Sequence, residues 1–258
     1  MYPNDQAALR HECVSRRMTA SVDMILCIRG GYGANRILPY IDFELIKKNP
    51  KIFIGFSDIT SLLNTLYKRC GLITFQGPML CSLFDDLTLE SFNQSLVFGS
   101  KPYTINNTEN KSGEKLNING IGGEAKGRLM GGNLALICSL MGTPYDIDFK
   151  DNIIFIEDVG EEPYKIDRML TSLELSGKLK DASGFIIGQF TNCCLPHYER
   201  SLTLEQVIKD KILSLNKPAI VNFQSGHSYP KITLPIGADV KINGDTGDIS
   251  ILEGVVEE

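Results

Sequence analysis

Hydrophobic residues along the first third of the chain fall into short unbroken runs, separated by stretches with helical spacing. Val22 to Ile28 reads as a buried strand, and a glycine loop follows it, Arg29-Gly30-Gly31-Tyr32-Gly33. From Ala34 to Lys48 apolar residues return at helix-like intervals, with an interruption at Pro39. Lys51 to Phe56 (Lys-Ile-Phe-Ile-Gly-Phe) reads as a second strand. Asp58 to Cys70 then has the period of a helix, with Ile59, Leu62, Leu63 and Leu66 on one face. Gly71 stands where a helix C-cap favours glycine, and Leu72 to Phe75 is a third short strand. Strands alternating with helices predict a parallel sheet covered by helices, hence an α/β fold.

The pattern changes between residues 100 and 124, which are rich in Asn, Gly, Lys, Ser and Thr. Such a stretch predicts a linker or a hairpin-bearing connection. The expected organisation is therefore an N-terminal α/β domain over 1–99, a connection over 100–124 and a C-terminal domain over 125–258. In the last of these, Asn133 to Met141, Ile166 to Leu175 and Leu204 to Leu213 have helical spacing. Asn152 to Ile156, Gly184 to Gln189, Ala219 to Phe223, Ile232 to Pro235 and the C-terminal stretch read as strands, so this half is rich in β structure.

Composition narrows the function classes. A hydrophobic fraction of 43% and a charged fraction of 22% are those of a globular protein. The formal net charge of -5 supplies no basic face, so no nucleic-acid partner is expected. No run approaches the roughly 18 apolar residues of a membrane helix, and Met-Tyr-Pro-Asn-Asp-Gln does not begin a signal peptide. Seven cysteines, scattered and odd in number, look like thiols in a reducing compartment, so a cytoplasmic setting is expected. Cys193, Cys194 and His197 are part of a metal-site pattern, but no second ligand pair accompanies them and no metal is expected.

Candidate chemistry centres on Ser57, in Gly55-Phe56-Ser57-Asp58. A tight strand-to-helix turn would hold its hydroxyl rigidly and leave the Asp58 N–H near a developing oxyanion. The competing role is a plain helix N-cap, and Ile59 departs from the G-x-S-x-G pattern. His227, in Ser225-Gly226-His227-Ser228, follows an apolar run and is placed to project into a cleft, unlike His11 and His197. Glu157 ends the run Ile153 to Ile156 and is the candidate acid to orient an imidazole. Its neighbours Asp158, Glu161 and Glu162 compete, but fall past the expected strand end and are expected to face solvent. The glycine loop lacks the third glycine of a dinucleotide fingerprint, where Arg36 stands. Backbone N–H groups approaching an anion, or a plain turn, fit it better.

Together these segments resemble the LD-carboxypeptidase family of serine peptidases. The matching stretches are CIRGGYGANRILPYIDFELIKKNPKIFIGFSDIT, GLITFQGPM, GRLMGGNLALICSLMGTP, IIFIEDVGEEPYKIDRML and SGHSYPKITLPIGA, in family order. The resemblance implies a triad of Ser57, Glu157 and His227, with an oxyanion hole from the amides of Asp58, Gly30 and Gly31. It implies an N-terminal domain similar to class I glutamine amidotransferases, a β-rich C-terminal domain, an active site between them and a homodimer. Family members carry a further strand-helix-strand portion ahead of the first stretch, so it also implies an N-terminally truncated domain. The implied reaction releases terminal D-alanine from a murein tetrapeptide, a small-peptide substrate, in cytoplasmic peptidoglycan recycling without a cofactor. Arg29 and Arg36 are candidates to grip the free carboxylate. The alternatives are the microcin C immunity branch of the same superfamily and an inactive muropeptide-binding paralogue. Against the former stands the absence of tryptophan, a usual platform for a nucleotide base.

Overall fold

The computed structural model describes residues 18–19, 21–107, 115–195 and 201–257. His11, Cys13 and His197 lie outside the described residues. Two sheets organise the chain.

The first sheet is built from the predicted alternation. Strand β1 (Met24–Leu26) pairs in parallel with β2 (Ile52–Gly55), and β2 with β3 (Thr74–Gln76). Between β1 and β2, α1 (Ala34–Ile37) is followed by a 3-10 turn over Leu38–Tyr40 containing Pro39, then by α2 (Phe43–Lys48), capped by the Asp42 carboxylate. Between β2 and β3 a 3-10 turn over Ser57–Ile59 runs into α3 (Thr60–Cys70). Gly71 closes that helix at φ 70°, a left-handed conformation that glycine adopts without a Cβ penalty. A fourth strand, β9 (Leu234–Ile236), comes from far along the chain and pairs antiparallel with β3.

The second sheet has seven strands, in the order β4-β11-β10-β5-β6-β7-β8. Its parallel part is β5 (Glu124–Asn133), β6 (Ile153–Val159), β7 (Gly184–Thr191) and β8 (Ala219–Ile220). Antiparallel pairing adds β10 (Asp239–Asn243), β11 (Ile249–Ile251) and β4 (Tyr103–Ile105), so the 100–124 stretch supplies a strand as well as a connection. Helices α4 (Asp86–Leu96), α5 (Leu134–Ser139), α6 (Pro163–Leu175), α7 (Lys178–Asp181) and α8 (Leu204–Lys211) complete the described helices. Helix α8 opens with a full capping box, Thr203 and Gln206 bonding each other's backbone N–H. A core of Phe149, Ile154, Ile156, Ile166, Leu170, Phe185 and Val207 fills the space between this sheet and its helices. The other core runs from Phe53, Leu63 and Phe75 through Leu129 and Phe155 to Leu234 and Ile236, and so joins the two sheets.

No helix among the described residues is long and apolar enough to cross a membrane. Nor does any group of three His, Cys, Asp or Glu side chains among them form a metal-holding cluster.

Candidate active site

Ser57 follows β2 by two residues and adopts φ 64°, a left-handed backbone that a non-glycine residue rarely takes. Such strain persists only where its surroundings enforce it. Here the enforcing contacts come from both sides. The Asp58 carboxylate accepts a 3.0 Å hydrogen bond from Ala34 N–H, so the residue after the serine caps α1 at the end of the glycine loop. Gly30 presses against the serine: a methyl there would sit 2.9 Å from Ser57 Cβ and 3.2 Å from its Oγ. The loop backbone thereby reaches the hydroxyl as no larger residue would allow.

Glu157, on β6 of the second sheet, meets His227, in the loop between β8 and β9. His227 Nδ1 lies 2.7 Å from Glu157 Oε2, and Glu157 is fully buried. Its strand does not end there as expected but continues to Val159, with a register irregularity between Ile156 and Asp158. The His227 loop is tied to β7. Gln189 accepts from Ser228 N–H at 2.9 Å, Gln189 N–H donates to Ser225 O at 3.1 Å, and Thr191 and Ser228 share a 2.7 Å hydroxyl contact. Gly226, at φ 146°, is required because a Cβ there would stand 3.1 Å from Glu157 Oε2.

Two sets of contacts bring the Ser57 turn to this pair. Phe56, the residue before the serine, packs edge-on to the His227 ring with centroids 4.9 Å apart. Among the described residues the imidazole's hydrogen bond is the one to Glu157, through Nδ1, and the Ser57 hydroxyl carries none. Behind the turn, helix α3 is stitched to the end of β5. Thr60 Oγ1 accepts from Asn133 N–H at 3.0 Å, while Asn64 bonds both the N–H and the C=O of Gly131. Asn133 is in register with Glu157 across the parallel pair β5–β6. Three residues past the serine, the chain is thus bonded to the strand next to the acid.

Asp158, expected to face solvent, is 2% exposed instead. It accepts hydrogen bonds from Asn133 Nδ2, from Ala135 N–H at the start of α5 and from Val159 N–H. Burial, and then the neighbouring Glu157 charge, push its carboxyl up to about 6. Glu157 and Asp158 point to opposite faces, and both are buried because β6 is a central strand covered on both faces from Ile153 to Asp158.

Arg29 is exposed beside the loop, its Nε bonded to Gly30 O at 3.2 Å, and Arg36 is exposed in the last turn of α1. Phe56, Gln189 and Lys231 were not legible as parts of the site. The first and last lie inside apolar runs, where they read as core, although a lone lysine in Tyr-Pro-Lys-Ile-Thr-Leu-Pro is a signal of its own.

Comparison with known proteins sets this architecture among peptidases. The chain belongs to the LD-carboxypeptidase family: residues 6–77 match its N-terminal domain and residues 126–242 its C-terminal domain. It is 44% identical over 238 residues to a probable murein peptide carboxypeptidase of Bacillus subtilis, covering 92% of this chain and 73% of that one. Among solved structures it is similar to the microcin C7 self-immunity protein MccF in complex with glutamyl sulfamoyl guanosine, with a TM-score of 0.86 at 26% identity, covering 97% of this chain and 82% of that one. It is likewise similar to muramoyltetrapeptide carboxypeptidase from Oxalobacter formigenes, with a TM-score of 0.82 at 28% identity, covering 97% and 84%. The α/β fold expected from the strand-helix alternation agrees with these likenesses.

Proposed function

We propose that the chain is a serine-type L,D-carboxypeptidase that releases terminal D-alanine from a murein tetrapeptide, with Ser57, His227 and Glu157 as its triad. The observation that carries this is the 2.7 Å contact between His227 Nδ1 and a fully buried Glu157, with the strained Ser57 turn held against the same imidazole through Phe56. Glu157 fixes the tautomer that leaves Nε2 as the base. His227 takes the proton of Ser57 Oγ as the oxygen attacks the carbonyl between the L-configured centre and D-alanine. The amides of Asp58, Gly30 and Gly31 meet the oxyanion, His227 protonates the leaving amine, and water then opens the acyl-enzyme. Arg29 and Arg36 stand on the glycine-loop side as partners for the terminal carboxylate. We further propose a homodimer working in the cytoplasm, a setting that suits the free thiols Cys27, Cys70, Cys81, Cys138, Cys193 and Cys194.

Ser57→Ala tests the proposal. Turnover of a murein tetrapeptide, read as released D-alanine, should fall about a thousandfold or more while the melting temperature holds. Parental turnover in the variant would remove Ser57 as nucleophile. The likeness to MccF favours one competing substrate class, so glutamyl sulfamoyl guanosine belongs in a parallel assay; faster cleavage of it than of the tetrapeptide would reverse the assignment.

A further inference from the structure

Lys231 has no part in the chemistry above, yet it is 4% exposed, at the junction of the two halves of the site. Its Nζ donates to Gly226 O at 2.9 Å and to Ser228 O at 3.3 Å, the carbonyls on either side of His227. It also lies 4.4 Å from the centroid of Phe56 and 4.6 Å from that of Tyr229. Phe56 carries Ser57 as its chain neighbour and touches the His227 ring. One ammonium therefore contacts the backbone that presents the base and the ring that adjoins the nucleophile. Its own backbone is pinned from a third element, Lys231 N–H donating to Thr88 Oγ1 of α4 at 2.9 Å.

We propose that Lys231 is a positioning residue, whose ammonium clamps the His227 loop to the Ser57 turn. The proposal rests on the catalytic roles proposed for Ser57 and His227. A buried ammonium is a costly way to fill a core, since an apolar side chain of similar volume there is often neutral or stabilising. Burial lowers its pKa to about 8, against the opposing charges of Glu157, Cys81 and Asp85, so it still carries its proton at neutral pH. The groups facing it are Glu157 from β6, Cys81 and Asp85 from the segment ahead of α4, and the Tyr229 ring on its own loop.

The test is Lys231→Met, close in length and uncharged, with Lys231→Gln as a second variant that keeps a donor for the carbonyls. For each folded variant, kcat and KM are measured with tetrapeptide. Expected for Lys231→Met are a kcat lower by about 10- to 100-fold and a KM within about threefold of the parental value. For Lys231→Gln, which keeps a donor for the carbonyls of Gly226 and Ser228, a smaller loss of kcat is expected at the same KM. Parental kcat in Lys231→Met beside an inactive Ser57→Ala, or a KM that rises as far as kcat falls, overturns the role of Lys231 alone. Parental turnover in Ser57→Ala overturns the catalytic assignment instead.

Discussion

The two sheets hold their shares of the site in different ways. Glu157 sits on β6, buried along nearly its whole length, and β7 beside it is buried just as deeply. Around them the His227 loop is bonded at several points, and the acid–base contact is already made. Ser57 belongs to the smaller sheet, where β1 is only half-buried and Val22, Met24 and Ile28 are exposed at 39%, 37% and 67%. Its β2, which leads into the Ser57 turn, is nonetheless buried over Phe53–Gly55, and the turn adds a strained backbone and bonds reaching across to the larger sheet, from Thr60 and Asn64 to β5. The difference teaches that the His227–Glu157 contact is held within deeply buried strands, whereas the Ser57 turn depends also on a few polar contacts to the other sheet, whose loss should be felt at a distance.

Three substitutions sharpen this contrast. The largest effect is expected at Glu157→Gln, which leaves the volume but removes the charge that orients the imidazole. Turnover should fall by about 10²- to 10⁴-fold, measured by D-alanine release, with Ser57 and its turn untouched. Asn64→Ala should come next. The side chain bonds Thr60 O, Gly131 O and Gly131 N–H, and its removal orphans the buried Gly131 groups. A stability loss of about 3 kcal/mol in urea unfolding is expected, together with a fall in kcat although the residue contacts no substrate. An unchanged kcat would mean that the larger sheet does not align the serine through α3. The smallest effect is on stability, at Ser57→Gly: relief of the left-handed backbone should stabilise the fold by about 1 kcal/mol in urea unfolding. A loss of stability there would show that the turn is not strained.

Much of the smaller sheet could be read directly, because its strands are apolar runs and its helices keep their period. The largest omission was β5, the longest strand. Its residues Glu124–Asn133 include three glycines and alternating charged positions, which do not look like a buried strand. Each glycine admits a close neighbour: a methyl on Gly131 would approach Phe155 O of β6 to 2.0 Å, one on Gly127 would come within 2.5 Å of Asp151 O just ahead of β6, and one on Gly132 would meet Thr60 Oγ1 at 2.6 Å. Close backbone contact of that kind leaves no hydrophobic signature. Helix α4 was missed for a related reason, since Asp-Leu-Thr-Leu-Glu-Ser-Phe-Asn-Gln-Ser-Leu buries Thr88, Ser91 and Ser95 rather than an apolar stripe. In the site, Ser57, Glu157 and His227 stood out because each closes an apolar run. Lys231 and Asp158 did not, because their importance lies in what folds over them.

Strand β9 has a consequence for the newborn chain. The edge of β3 is covered only when Leu234–Ile236 arrives, and the stretch that delivers it is the one that has just carried His227 past Glu157. During synthesis the serine's sheet must wait, open along one side, until nearly all of the larger sheet's parallel strands have left the ribosome. Addition of β9 to the smaller sheet and delivery of His227 to Glu157 are thus a single event.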